Sequence, residues 1–312
     1  MQVVIAGGSG FIGVHLARSL AATGHQVVIL SRSGGVPPGG AAERVRWDPG
    51  DVTGPWASAV AGADAVVNLA GTSIANGRWT PARKALLRSS RLAATNALVR
   101  AIERAPQGRR PRVLVSASAI GFYGDRGAEV LTERSQPGAD FLAALCQEWE
   151  GAARGAERLG VRVALLRTGI VLDRDGGALP RMLLPFRLLA GGPLGSGTQW
   201  TSWIHVDDEV GILRHAIEQD SASGPLNATA PNPVTMRDMA ASIGRALGRP
   251  SWLPAPAFAL KLALGEMAGP LLLASQRVLP EATLASGYTF RFTGLDGALR
   301  DLLGGSRASP AA

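Results

Sequence analysis

The stretch Val3-Val-Ile-Ala-Gly-Gly-Ser-Gly-Phe-Ile-Gly13 decides the fold. A β-branched run stops at Gly7, and an apolar pattern at helical spacing, Phe11, Ile12, Leu16 and Leu20, opens after Gly10. That reads as strand, tight turn, helix. Gly7 lets the chain turn off the strand, Gly10 lets backbone approach a pyrophosphate, and Gly13 lets helix pack closely on strand. The helix N-terminus adds free N–H groups and a partial positive charge. In this context Gly7, Gly10, Phe11, Ile12 and Gly13 read as a dinucleotide-binding turn rather than a merely structural one.

Working outward, Gln26-Val-Val-Ile-Leu30 is a second strand, and its end bears on cofactor choice. An NAD enzyme places Asp or Glu about 20 residues past the glycines to bind the ribose 2′-OH. Here that place holds Ser31 and Arg32, with no carboxylate before Glu43. A guanidinium pairs with a 2′-phosphate that a carboxylate would repel, so NADP(H) is expected. Arg32 also reads as one more arginine of a solvent loop. A Gly/Pro loop over 34–43 leads to the strand Arg44-Val-Arg-Trp47. Asp48 then either accepts from the adenine amine or makes an Asx turn before Pro49.

Ala65-Val-Val-Asn-Leu69 is a fourth strand, delivering Leu69, Ala70 and Gly71 to the crevice. Thr80-Pro81 starts a helix running to about Glu103, whose Arg83, Lys84, Arg88 and Arg91 are expected in solvent, with room for one facing the crevice. The strand Arg112-Val-Leu-Val-Ser116, a helix from Asp140 to Leu159 and the strand Arg162-Val-Ala-Leu-Leu166 continue the alternation. Strands alternating with helices predict a Rossmann-type, doubly wound parallel α/β sheet, with ligands at the strands' C-terminal ends. Ser116, Arg167 and Thr168 stand at such ends. The expected organisation is a nucleotide-binding domain over 1–175, rejoined by 204–230, and a smaller, mainly helical substrate lobe over 176–203 and 231–306. Residues 307–312 read as a disordered tail.

The 312 residues carry a net charge of +8, with only two lysines, Lys84 and Lys261, against thirty arginines. The arginines are scattered rather than interleaved with aromatics, which argues for GC-rich coding and against nucleic acid as a partner. The one cysteine, Cys146, excludes an internal disulfide and fits a reducing cytoplasm. No charged n-region precedes the first apolar run, so no signal peptide is expected. The apolar segment from Ala257 to Ala274 is interrupted by Lys261, Glu266, Gly269 and Pro270 and falls short of the about 20 apolar residues of a membrane span.

Gly7-Gly-Ser-Gly-Phe-Ile-Gly13, Asn68-Leu-Ala-Gly71, Ser116-Ala-Ser-Ala-Ile-Gly-Phe-Tyr-Gly124, Arg167-Thr-Gly-Ile-Val-Leu172 and Trp203-Ile-His-Val-Asp-Asp208 together resemble the extended short-chain dehydrogenases. With Arg78-Trp79, Trp149-Glu150, Gly191-Gly-Pro-Leu-Gly-Ser-Gly197 and a C-terminal segment around Arg249-Pro250, Gly265-Glu-Met267 and Val278-Leu-Pro280, the chain is similar to their atypical branch of epimerase family proteins, once labelled cell-division inhibitors. The resemblance covers essentially the whole chain and implies NADP(H) binding.

One departure matters. The wider superfamily moves its proton with a Tyr-x-x-x-Lys pair, in which lysine and nicotinamide lower the tyrosine pKa. Here four residues beyond the two tyrosines, Tyr123 and Tyr288, stand Gly127 and Phe292. Judged from Trp149-Glu150, the pair would fall near Leu142 and Cys146, and neither replaces it directly. The candidate substitutes are Ser118, Tyr123 and His205. Ser118 either bonds a substrate carbonyl or ends a strand; Tyr123 is either a donor or structural; His205 either transfers a proton or packs beside Trp203. Cys146 reads as inert core, and Glu148 and Glu150 as a solvated helix face. Phe186, Trp200 and Trp203 are expected to line an apolar substrate pocket. No metal-ligand spacing links His15, His25, His205 and His215. Two functions follow. One is an NADP(H)-dependent oxidoreductase or epimerase acting on a small molecule; the other is a non-catalytic NADP(H)-binding sensor or scaffold. Pairing with a second copy stays open.

Overall fold

The computed structural model describes residues 1–32 and 42–304. β1 (Gln2–Ala6) runs through the glycine turn into α1 (Phe11–Ala22) and β2 (Gln26–Ser31). β3 (Ala42–Arg46), α2 (Pro55–Gly62), β4 (Ala65–Asn68), α3 (Pro81–Arg104) and β5 (Val113–Ala119) follow. After β6 (Val130–Leu131) come α4 (Phe141–Arg154), β7 (Arg162–Thr168) and β8 (Ile170–Leu172). The helix starts obey the cap signals: Thr80 accepts from the Arg83 N–H at 3.1 Å, and Asp140 from the Ala143 N–H at 2.8 Å. The predicted loop lies, up to residue 41, outside the described residues, as does the predicted tail.

The second half supplies α5 (Leu179–Arg187), β9 (Trp200–Thr201), β10 (Trp203–His205), α6 (Val206–Glu218), β11 (Gly224–Ala228) and β12 (Val234–Thr235). It ends with α7 (Met236–Leu247), α8 (Ala257–Leu264), β13 (Arg277–Val278), α9 (Glu281–Ala285) and α10 (Leu295–Leu303).

Seven strands form one parallel sheet in the order β11-β7-β5-β4-β1-β2-β3. The chain builds outward from β1 in one direction and then, from β4, in the other, so a crevice opens between the ends of β1 and β4. Val3, Val4, Ile5, Val66, Val67, Leu114 and Val115 are fully buried because helices cover both faces. Leu16 and Leu20 of α1 and Ile212 and Leu213 of α6 fill one side. Trp56 of α2, Leu98 and Ile102 of α3 and Ala153 of α4 fill the other. A third core, built on Leu179, Leu183, Phe186, Trp203, Met239 and Leu299, holds the helical lobe together.

The boundary between the two bodies differs from the sequence expectation. Residues 277–290 return to the sheet domain: β13 pairs with β6, Thr283 Oγ1 donates to the Asn227 carbonyl at 2.9 Å, and Phe290 is buried between α1 and α6. The reason is β11, an edge strand whose open side α9 covers. Among the described residues no helix is long and apolar enough to cross a membrane.

Candidate active site

The glycine turn is as close-packed as its sequence demands. Gly7 takes φ +80°, in the left-handed region that favours glycine, and a Cβ there would lie 2.9 Å from the Leu69 and Ala70 backbone. A Cβ on Gly13 would lie 2.5 Å from the Gly7 carbonyl oxygen. The Gly10 N–H donates to Gly7 O at 2.9 Å. Gly10 caps α1 without a side chain, and no acidic residue occupies the first turn, so the positive end of the helix stays open to an anion. Asn68 fixes the opposite wall: its Nδ2 donates to Thr95 Oγ1 at 2.8 Å and its Oδ1 accepts from the Ala70 N–H at 3.3 Å. Phe11 is partly buried, and its ring packs against Gly176 and Gly177. Ser31 is buried, with its carbonyl accepting from Trp47 N at 2.9 Å, while Arg32 is exposed at the strand end. Asp48 makes the Asx turn, Oδ1 accepting from Gly50 N at 2.8 Å.

A pocket opens where β5 and β7 end. Ala119, Ile120 and Gly121 form one side, Leu142, Cys146 and Trp149 of α4 another, and Thr168, Gly169 and Ile170 a third. Trp200 and the segment Pro270–Leu272 close it from the lobe. Leu142 and Cys146, the places expected of tyrosine and lysine, therefore both line the pocket, one helical turn apart. Burial pushes the Cys146 thiol up to about 12, so it offers no ready proton. Among the described residues Arg91 is the one cationic side chain lining the pocket, and it is the member of the α3 basic set that faces the crevice. Its Nη1 donates to Thr72 O at 3.1 Å and Leu87 O at 3.0 Å, and its guanidinium lies 5.1 Å from the Trp149 ring centre.

Several expected site residues go elsewhere. Ser118 and Arg167 are direct neighbours in the β5–β7 register and point together toward α4, where both meet Glu150. Ser118 Oγ donates to Glu150 Oε1 at 2.7 Å; Arg167 donates Nε to Oε1 at 2.8 Å and Nη2 to Oε2 at 2.9 Å. Arg167 Nη1 also donates to Tyr123 Oη at 3.1 Å, Tyr123 donates to Asn227 Oδ1 at 2.7 Å, and the guanidinium stacks 3.4 Å from the Phe122 ring centre. The network is buried throughout. Arg167 is thus a structural cation rather than a cofactor ligand, and Glu150 is no solvated residue. Burial outweighs the nearby Arg167 and pushes Tyr123 up to about 12, the opposite of an activated tyrosine.

His205 is also corrected. It is fully buried, caps α6 by accepting the Asp207 N–H on Nδ1 at 3.0 Å, and stacks on Phe292 with ring centres 3.9 Å apart. Trp203 and Phe186 belong to the lobe core, not the pocket, whereas Trp200 does line it, with Arg277 over its ring at 4.3 Å. Ser116 is fully buried beside Asn68 Nδ2, at 3.5 Å.

Thr168, next to Arg167, points to the opposite face of the sheet, as strand alternation requires. Its Oγ1 donates to Glu209 Oε1 at 2.9 Å. Glu209 is 1% exposed, its Oε2 has no hydrogen-bonding partner among the described residues, and burial pushes its carboxyl up to about 8. The sequence reading passed over this residue. Its signal was helical spacing: Glu209 shares a face with buried Val206, Leu213 and Ala216.

The glycine turn at the sheet's switch point, with an apolar pocket at the ends of β5 and β7, defines a dinucleotide-binding α/β protein of Rossmann type. The chain belongs to the NAD dependent epimerase/dehydratase family, whose model matches residues 3–228, and a domain of unknown function, DUF1731, matches residues 255–302. It is 44% identical over 97% of its length to the Arabidopsis thaliana epimerase family protein SDR39U1 homolog, chloroplastic, covering 87% of that protein. It is 40% identical to the Bacillus subtilis epimerase family protein YfhF, covering 97% of this chain and 98% of that one. The crystal structure of human epimerase family protein SDR39U1 (isoform 2) with NADPH superposes with a TM-score of 0.86 at 36% identity, covering 98% of this chain and all of the human one.

Proposed function

We propose that the protein is an NADP(H)-dependent oxidoreductase or epimerase acting on a small molecule with an apolar body and an anionic group. The observation that carries this reading is the pocket at the ends of β5 and β7, apolar except for Arg91, Thr168 and a few committed polar groups, on the same C-terminal edge of the parallel sheet as the close-packed glycine turn that follows β1. NADP(H) fits the residues present: the open end of α1 faces the phosphates, the strand end after β2 offers Ser31 and Arg32 rather than a carboxylate, and the human relative was crystallised with NADPH. When bound, the nicotinamide supplies or accepts hydride.

Arg91 sets the substrate class. Among the described residues Arg91 bonds carbonyl oxygens but no carboxylate, and burial penalises its charge, so an anionic ligand would supply the counter-charge it lacks. The cavity measures about 180 Å³, below the ~300–1,000 Å³ of pockets that take drug-sized ligands, and this favours a compact substrate.

The second reading, a non-catalytic NADP(H)-binding sensor or scaffold, draws support from Leu142 and Cys146 and from the engagement of Ser118, Tyr123 and His205 in structure. Fluorescence titration with NADPH and NADH, followed by NADPH oxidation assays on small carbonyl acids, separates the two. Tight NADPH binding with turnover supports the enzyme. Binding without turnover supports the sensor, and failure to bind NADPH overturns both.

A further inference from the structure

We propose that Thr168 and Glu209 form the proton relay that replaces the Tyr-x-x-x-Lys pair, with Thr168 touching the substrate oxygen and Glu209 acting as the buried proton store behind it. This rests on the enzymatic reading above. Three observations carry it. Thr168 lines the pocket and is bonded to Glu209 at 2.9 Å. Glu209 is sealed from solvent, and among the described residues that one hydroxyl is the only hydrogen-bonding partner of its carboxyl group, with none at Oε2. Every residue expected to donate a proton is committed elsewhere, Ser118 to Glu150, Tyr123 to Asn227 and His205 to the cap of α6.

A buried carboxyl without a cation is costly as an anion and cheaper as an acid. Among the described residues none of the ion pairs includes Glu209. The groups around it do not supply a positive charge. Asp207 and Asp208 precede it on α6, and Tyr288, whose hydroxyl donates to Asp208 Oδ1 at 2.9 Å, lies against the helix from the 286–291 segment. Arg291 is drawn off to Asp207, His15 of α1 to Asp173, and Arg167 of β7 to Glu150 on the other face. The carboxyl, raised to about 8, therefore keeps its proton at neutral pH.

When Glu209 is neutral, the 2.9 Å contact runs in the other sense: Oε1–H donates to Thr168 Oγ1, and the Thr168 proton turns into the pocket. In the reducing direction, the carbonyl carbon gains hydride from NADPH, which leaves as NADP⁺. The carbonyl oxygen takes the Thr168 hydroxyl proton, and Thr168 Oγ1 takes the proton of Glu209 Oε1. The C=O π bond breaks, a C–H and an O–H bond form, and the Glu209 carboxylate regains a proton from water through Thr168 once product leaves. Oxidation runs the same steps backward.

The test uses the full chain, NADPH and phenylglyoxylate, a compact ketone that carries both a ring and a carboxylate. Glu209→Gln keeps the size and an acceptor for Thr168 but holds no transferable proton. It should lower kcat about a hundredfold or more while leaving NADPH affinity unchanged. Thr168→Val should fall comparably, whereas Thr168→Ser should retain most of kcat. In the wild type kcat should decline as pH rises through about 8, a limb absent from Glu209→Gln. Infrared difference spectra of the NADPH complex at pH 6 and 9 give a readout independent of turnover: a protonated-carboxyl band lost at high pH and missing from Glu209→Gln. Turnover that survives Glu209→Gln and Thr168→Val, or the absence of that band at pH 6, overturns the relay alone. NADPH binding with no turnover by the wild type overturns the enzymatic reading and the relay with it.

Discussion

Arg167 and Glu150 meet in a two-pronged ion pair at 2.8 and 2.9 Å, with the side chains 4% and 5% exposed. The pair ties β7 to α4, and the remaining donors and acceptors reach Ser118, Tyr123 and the Glu133 carbonyl. Such a pair is sustained by its hydrogen bonds, and removing one partner strands the other charge in the interior.

Arg167→Met is accordingly expected to destabilise the protein by about 3–5 kcal/mol. Glu150→Gln should cost a comparable amount, because one oxygen still accepts from the guanidinium but the amide NH2 meets a second Arg167 donor and the buried cation loses its counter-charge. Urea unfolding followed by circular dichroism gives both values. A loss under about 1 kcal/mol for Arg167→Met would show that the pair contributes little.

Tyr123→Phe and Ser118→Ala should act on stability and not on chemistry. Each leaves a buried partner unsatisfied, Asn227 Oδ1 in one case and Glu150 Oε1 in the other, at about 1–3 kcal/mol. The NADPH oxidation rate at saturation should stay within about threefold of the wild type, a change of well under 1 kcal/mol in barrier. A loss of orders of magnitude in kcat with an unchanged melting temperature would return either residue to the reaction.

Arg32→Asp tests cofactor choice. It replaces an exposed cation at the end of β2 with an anion that repels a 2′-phosphate. A charge-assisted contact is worth about 1.5–3 kcal/mol, so NADPH affinity should fall about tenfold to a hundredfold while NADH affinity barely moves. Equal weakening of both in a fluorescence titration would place the 2′-phosphate elsewhere.

Glu209 also gives the folding equilibrium a pH dependence. Its carboxyl is raised in the folded protein to about 8, from an ordinary 4.5. The folded state therefore holds the proton more tightly than the unfolded chain. This contribution is fully present below pH 4.5, shrinks as pH rises, and is gone once the pH passes about 8. The stability difference between wild type and Glu209→Gln should change across that interval and level off on either side. A constant difference from pH 4.5 to 8 in chemical denaturation would mean that Glu209 is ionised in the folded protein.

The frame was legible because backbone geometry writes itself into composition. Gly7 and Gly13 are glycines because a Cβ would strike Leu69, Ala70 or Gly7 itself, and the apolar runs Val3–Ala6 and Val113–Val115 betray strands covered on both faces. The strand-end rule singled out Thr168, which lines the pocket, whereas Cys146, read from sequence as inert core, also lines it. What it could not resolve was side-chain direction. Arg167 and Thr168 are adjacent in sequence yet serve opposite faces of the sheet, one in a locked ion pair and the other in the pocket. Trp203 and His205 stand near crevice residues in the chain, but β10 turns both into packing against the lobe and α10. Glu150 and Glu209 were hidden for a related reason: acids on helices read as solvated until tertiary packing shows which stripe is covered.

The sheet order has a consequence for how the chain assembles. β1 is made first but lies in the middle of the sheet, and β11, the last strand, is added at the edge beyond β7. Its Asn227 is the acceptor for the Tyr123 hydroxyl, 104 residues earlier in the chain. As the protein emerges from a ribosome, β1, β4 and β5 have both neighbours once β7 is made, while β7 still lacks its outer neighbour and the Tyr123 hydroxyl its acceptor. Closure of the polar network is thus a late event in synthesis, and a nascent chain stalled before residue 227 should expose that half-built face to chaperones and proteases.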